Sequence, residues 1–239
     1  MTLLLSISAP DVLVMCADSA LTSRDSGEQV TLAGFPKVAY VPVRHMGISY
    51  TGTAKIGGTW IHNWISTFCD NVAKSGNIED FAHELADTLN HTGTSGDALA
   101  FQIGTWINAG DPQYPLPLVW EVSNADGIQF HANSLLTPEF HQAVERWQTD
   151  KTTYPFRIYS GGIPKDYASW IARMLPEYSK LIGASVPSSN GGSLTRLAQM
   201  LVRQICDLLI VADQPNYVAA PVLTRVLLPR PTLLISDYR

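Results

Sequence analysis

Met1-Thr2-Leu3-Leu4-Leu5-Ser6-Ile7-Ser8-Ala9-Pro10-Asp11-Val12-Leu13-Val14-Met15-Cys16-Ala17-Asp18-Ser19 opens the chain. It reads as two short β-strands, 2–8 and 12–18, joined by a turn at Pro10-Asp11. Apolar residues stand on both faces of each strand, the pattern of a sheet covered on either side. Removal of Met1 would make Thr2 the N-terminus. A threonine there carries a hydroxyl and an α-amine on adjacent carbons. The amine, with an ordinary pKa of about 8, takes the hydroxyl's proton near neutral pH while the oxygen attacks a carbonyl. An internal serine or threonine needs a histidine for that task.

Further landmarks follow in order. Asp18 lies sixteen residues after Thr2 (18 − 2 = 16). A polar connection, Arg24 to Gly34, is either an exposed hairpin or a pocket-lining loop. Lys37-Val38 then opens a third strand, and Tyr50-Thr51-Gly52-Thr53-Ala54 makes a glycine-containing bend ahead of the first long helix. Much later comes Ser160-Gly161-Gly162. This succession resembles the N-terminal-nucleophile hydrolases of the proteasome β-type subunit family, and within it the bacterial homologues of the proteasome.

The resemblance implies roles for five residues. Thr2 would be the nucleophile, and Asp18 would orient Lys37 and the Thr2 amine. The charge of Lys37 would favour ionisation of the Thr2 hydroxyl. The backbone N–H of Gly52 would form the oxyanion hole, and Ser160 would help to hold the amine. It also implies a homo-oligomer in stacked rings enclosing the sites, a peptide or unfolded-protein substrate, and no cofactor. Ring count, peptide preference and any ATPase partner are not legible.

One departure stands out. Many β-type subunits carry Asp-x-x-Ser-Gly-Gly after the last long helix, whereas Asn216-Tyr217-Val218-Ala219-Ala220-Pro221 keeps neither the Asp nor the Ser. Two alternatives to a threonine peptidase therefore stand: a non-catalytic ring subunit, and an amidase acting on small amides. Each site residue also has a plain structural reading. Asp18 can cap a strand or turn, Lys37 can be a solvated strand-edge lysine, Gly52 a turn glycine, and Ser160 part of a helix-entry turn.

Composition narrows the field. With 239 residues, 46% of them apolar and only 15% charged, the chain has the material for one large domain over 1–239. A net charge of −5 without a Lys/Arg cluster argues against nucleic acid and anionic membrane as partners. Cys16, Cys69 and Cys206 are odd in number, scattered and set in apolar stretches, as buried reduced thiols of a cytoplasmic protein would be. No signal-peptide pattern and no apolar run of about 18 residues is present. The six histidines lack metal-ligand spacing, and no Cys-x-x-Cys, Walker-type loop or Gly-x-Ser-x-Gly occurs.

Periodicity supplies the remaining elements. Lys37–Val41 and Met46–Tyr50 read as strands. Trp60, Ile61, Trp64, Ile65, Phe68 and Cys69 make one apolar stripe on a helix of about five turns. Asn77 is placed to cap a second helix bearing Ile78, Phe81, Leu85 and Leu89. Strands are expected at Leu99–Ile103 and Leu118–Val122, the latter pairing with Ile128–Phe130 across the Asn124–Gly127 turn. Glu139–Gln148 reads as a short helix or an inserted lobe. Phe156–Tyr159 leads to Ser160, helical residues follow at 166–175, and a long helix spans Ser193 to Ala212. Strands at 222–228 and 232–235 close the chain. Strands, two helices, strands, two helices, strands is not the alternation of a doubly wound sheet. It fits an α+β four-layer αββα sandwich, two antiparallel sheets flanked by helices.

Overall fold

The computed structural model describes residues 3–25, 28–32, 35–72, 77–92, 98–107, 116–124, 129–150, 154–162, 191–211 and 222–228. The expected helix at 166–175, the Asn216–Pro221 turn and the last strand at 232–235 lie outside these, as does Thr2.

The opening hairpin forms as its sequence dictates. β1 (Leu4–Ala9) and β2 (Val12–Asp18) are buried along their whole length and pair antiparallel, with Leu4 opposite Ala17 and Ala9 opposite Val12. Such strands need cover on both faces, and both faces have it. On one side Leu5, Ile7, Val14 and Cys16 pack against Leu194, Leu197, Ala198 and Leu201 of the long C-terminal helix, α4 (Gly191–Val211). On the other, Leu4, Leu13, Met15 and Ala17 meet Val38, Trp106 and Val119 of a second sheet. β12 (Arg157–Gly161) and β13 (Val222–Leu227) complete the first sheet in the order β12-β1-β2-β13.

The second sheet runs β11-β10-β9-β6-β5, with β5 at Val38–Val41, β6 at Met46–Thr51, β9 at Ala100–Ile107, β10 at Leu116–Ser123 and β11 at His131–Ser134. Its outer face is covered by α1 (Ile61–Val72) and α2 (Ile78–His91), whose Ile65, Phe68, Phe81 and Leu85 share one core with Tyr50, Phe101, Ile103 and Val122. Helix, sheet, sheet, helix is the four-layer arrangement the element order predicts. A third helix, α3 (Pro138–Asp150), settles the choice left open for that segment and sets Phe140 and Val144 against Leu116.

Close approach of the sheets depends on two glycines. Gly47 and Gly104 face each other across β6 and β9. A β-carbon on Gly47 would stand 2.5 Å from Met15 Sδ, and one on Gly104 would stand 2.7 Å from Leu13 Cδ2. The apolar side chains of β2 thus fill the space these glycines leave. Nearer the start of β1 the interface turns polar. Ser6 Oγ donates to Gln102 Oε1 at 2.7 Å, joining the two sheets directly. Gln102 Nε2 and the hydroxyl of its cross-strand neighbour Ser49 are buried without a hydrogen-bond partner among the described residues.

Several elements differ from the sequence reading. The polar connection after β2 is not one of them: of the two forms expected it takes the hairpin, β3 (Leu21–Asp25) with β4 (Glu28–Leu32). Trp60 does not begin α1. It belongs to a two-residue ladder, β7 (Lys55–Ile56) with β8 (Thr59–Trp60), turned by Gly57-Gly58 in left-handed conformations. The helix is accordingly shorter than five turns, at twelve residues. α2 starts where predicted, because Asn77 and Asp80 form a reciprocal capping box. β10 pairs with His131–Ser134 rather than with Ile128–Phe130.

Burial raises several titrating groups. It pushes the Cys69 thiol up to about 11 and the Tyr159 hydroxyl up to about 12, and it raises Tyr50 further still. These acids keep their protons in the folded chain at a pH where the unfolded chain has lost them, so their contribution to stability is complete below about pH 9 and declines as pH rises. The urea midpoint should be lower at about pH 10.5 than at about pH 8. An equal midpoint at both would contradict the burial of these groups.

Candidate active site

Asp18 ends β2 in full burial, at 0% exposure, and an isolated carboxylate there would be costly. Three donors answer it. The backbone N–H of Leu3 donates to Oδ1 at 2.8 Å; that of Ala20 donates to Oδ2 at 2.9 Å. Lys37 Nζ donates to Oδ2 at 3.0 Å, and its side chain is 2% exposed. The solvated lysine of the plain reading is therefore not what forms; the pair is an interior ion pair. Burial pushes the Asp18 carboxyl above its ordinary range, while the Lys37 ammonium and the Leu3 and Ala20 N–H groups pull it back. Three donors on two oxygens suit the acceptor-only, ionised form.

The surrounding backbone explains how a lysine from the other sheet arrives here. Lys37 immediately precedes β5, and its carbonyl accepts from Tyr50 N–H at 3.1 Å. The Tyr50 hydroxyl donates to the carbonyl of Pro36 at 2.7 Å, fixing the approach to Lys37 from within the core. Phe35 N–H donates to Ser19 O at 3.0 Å and joins that approach to the end of β2. The carboxylate also reaches the beginning of the chain. Asp18 N–H donates to Leu3 O at 3.2 Å and its side chain accepts from Leu3 N–H, so Leu3 is gripped on both sides. Leu3 is the residue after Thr2.

Gly52 follows β6 two residues beyond Tyr50, with φ at +115°. Its backbone lies against the Ala98–Leu99 peptide: a β-carbon would come 2.1 Å from Ala98 O and 2.8 Å from Leu99 Cα. Only glycine meets both conditions. Beyond the bend the chain enters the β7–β8 hairpin, where the half-buried Trp60 leans on Phe35 at 5.6 Å between ring centroids.

Ser160 sits inside β12, opposite Leu5 and half-buried, not at a helix entry within the described residues. Its neighbour Tyr159 points between the sheets, so alternation sends Ser160 to the α4 side. The structure thus brings Asp18 and Lys37 into contact, sets Gly52 at the bend beyond Lys37's strand partner, and gives Ser160 no hydrogen bond to either. Sequence reasoning missed the donors of Leu3 and Ala20, since every residue but proline carries an N–H. It also took Asn124 for a turn residue. Among the described residues no group of three or more His, Cys, Asp or Glu is placed to hold a metal ion, and no helix is long and apolar enough to cross a membrane.

No protein-family model matches the chain, and no curated protein is similar to it. Among solved structures the chain is similar to the Anbu (Gly-1) mutant from Hyphomicrobium sp. strain MC1, with 12% identity over 95% of this chain and 82% of that one and a TM-score of 0.54. At this identity the likeness is one of fold. It bears out the α+β fold with antiparallel sheets and does not extend to the β-subunit family.

Two outcomes follow for stability. Asp18→Ala should cost about 3–5 kcal/mol by leaving a buried ammonium unpaired, and Asp18→Leu combined with Lys37→Met should cost less than the two single changes added together. Urea denaturation of wild type and the four variants reads both. Gly52→Ala should cost more than Gly58→Ala, by about 1–3 kcal/mol, although both replace a glycine of positive φ. The space around Gly58 is open, whereas Gly52 meets the Ala98 carbonyl. Equal losses would show that backbone conformation alone sets the cost.

Proposed function

We propose that the chain is an N-terminal-nucleophile hydrolase acting on peptide bonds, with Thr2 as nucleophile after loss of Met1. The observation that supports this is the buried Asp18 carboxylate, which holds Lys37 Nζ at 3.0 Å and the N–H of Leu3 at 2.8 Å at once. A paired, dehydrated charge is difficult to justify as stabilisation alone. In this reading Asp18 holds the Lys37 ammonium as the positive group that serves the nucleophile.

In this reading Thr2 Oγ attacks the substrate carbonyl and the Thr2 amine takes the hydroxyl proton. The Lys37 ammonium favours the developing alkoxide, and Asp18 fixes its position. The N–H of Gly52 donates to the tetrahedral oxyanion. The amine returns its proton to the leaving nitrogen, and the peptide bond breaks to leave an ester on Thr2. Water, deprotonated by the same amine, hydrolyses that ester and restores the hydroxyl. Ser160 supports the amine through residues at the end of β12. The chains assemble as a homo-oligomer of stacked rings that admits unfolded peptide.

Intact-mass measurement before and after incubation with a peptide epoxyketone tests the reading, because that reagent closes a stable ring only with a free α-amine and its neighbouring hydroxyl together. The expected result is loss of Met1 and one adduct per chain, with no adduct and no peptide turnover in Thr2→Ala. Retained Met1 without an adduct, or turnover that survives Thr2→Ala, would overturn it. The first of those outcomes leaves a non-catalytic ring subunit. Turnover of small amides but not peptides moves the assignment to an amidase.

A further inference from the structure

Asn124 follows β10 and is 1% exposed, yet its sequence setting, Asn124-Ala125-Asp126-Gly127, is that of a solvent-facing turn. A carboxamide costs several kcal/mol to bury unless it is hydrogen-bonded, so the burial calls for a reason. Its Oδ1 accepts from Leu99 N–H at 2.8 Å, and its own N–H donates to Leu99 O at 3.3 Å. Leu99 is thereby held on both sides.

The Leu99 N–H belongs to the Ala98–Leu99 peptide group, and that group's other pole is the Ala98 carbonyl. It is this oxygen that lies against Gly52, 2.1 Å from where a β-carbon would be. A peptide group is planar and rotates as one body, so fixing its N–H fixes its oxygen. If the plane turned, Ala98 O would either press into Gly52 or withdraw and free the bend to leave φ +115°. The direction of the Gly52 N–H follows from that dihedral.

We infer that Asn124 is a positioning residue for the Gly52 bend, acting through the Ala98–Leu99 peptide plane to hold the Gly52 N–H toward the oxyanion. The inference rests on the hydrolase reading above. Asn124 touches neither substrate nor nucleophile; its effect is confined to the step in which negative charge develops on the carbonyl oxygen. Loss of the grip therefore lowers kcat and leaves substrate binding in place.

The test compares wild type, Asn124→Ala and Asn124→Asp in the full chain, using a fluorogenic peptide substrate and titration of competent sites with the peptide epoxyketone. Asn124→Ala should lower kcat per titrated site by about tenfold or more with KM changed less than about twofold. It should also weaken a peptide boronate, which binds as a tetrahedral anion, by a similar factor. Asn124→Asp keeps an oxygen for Leu99 N–H and should recover most of the per-site kcat. A purely structural role predicts fewer titrated sites at unchanged per-site kcat, and that result would overturn the inference. Should Asn124→Ala fail to fold, Asn124→Ser replaces it, being polar but too short to span the gap. A wild type that gives neither turnover nor adduct removes the hydrolase reading and this inference with it. An active wild type whose Asn124 variants keep per-site kcat removes the inference alone.

Discussion

A carboxylate with no water around it must find its hydrogen-bond donors in the protein, and Asp18 finds them in three places that have no other reason to meet. Leu3 leads into the first strand, Ala20 immediately precedes β3, and Lys37 arrives from the edge of the second sheet. Each donor is fixed because the acid leaves it little latitude. Leu3 is held by both its N–H and its carbonyl and so is fixed in the interior. The buried charge thus trades stability for placement.

The two sheets are held at their separation by different means at different points. Toward the β1–β2 turn, the Gly47–Gly104 pair admits Met15 and Leu13, so contact is dry and close. Toward the site, Ser6 and Gln102 make one polar link, and Ser49 lies beside it. Apolar contact tolerates sliding, whereas a hydrogen bond between two particular side chains does not. The link therefore fixes how far β1 extends over β9, and with it where Leu3 lies relative to Lys37 and Gly52.

Much of this was legible in the sequence. β1 and β2 were readable because continuous apolar runs around Pro10-Asp11 have few other solutions, and α2 because Asn77 and Asp80 mark their own cap. Trp60 misled, since an apolar residue adjoining a helical stripe extends the period whether or not the helix includes it. The two-residue ladder turned by Gly57-Gly58 is too short to leave a pattern of its own. The β10 partner was misplaced because Asn124 was counted as turn when its side chain is turned inward to Leu99. For the site, the spacing of Asp18 and the placement of Lys37 and Gly52 were visible only as a resemblance. The backbone donors that make Asp18 tolerable carry no mark in the sequence, and neither does the peptide plane on which Gly52 rests.

β1 is an interior strand of its sheet. β1 has β2 for one neighbour, with Leu4 opposite Ala17 only 13 residues on (17 − 4 = 13), but its other neighbour is β12: Leu4 pairs with Gly161, 157 residues later (161 − 4 = 157). α4, which covers its outer face, is later still. Throughout most of synthesis the N-terminal hairpin is therefore complete in itself but incompletely covered, and the long sequence separation makes its final enclosure a late event in folding. The hairpin is enclosed by the same step that completes its sheet, so the Asp18–Lys37 pair gains its dry surroundings only as the last elements arrive.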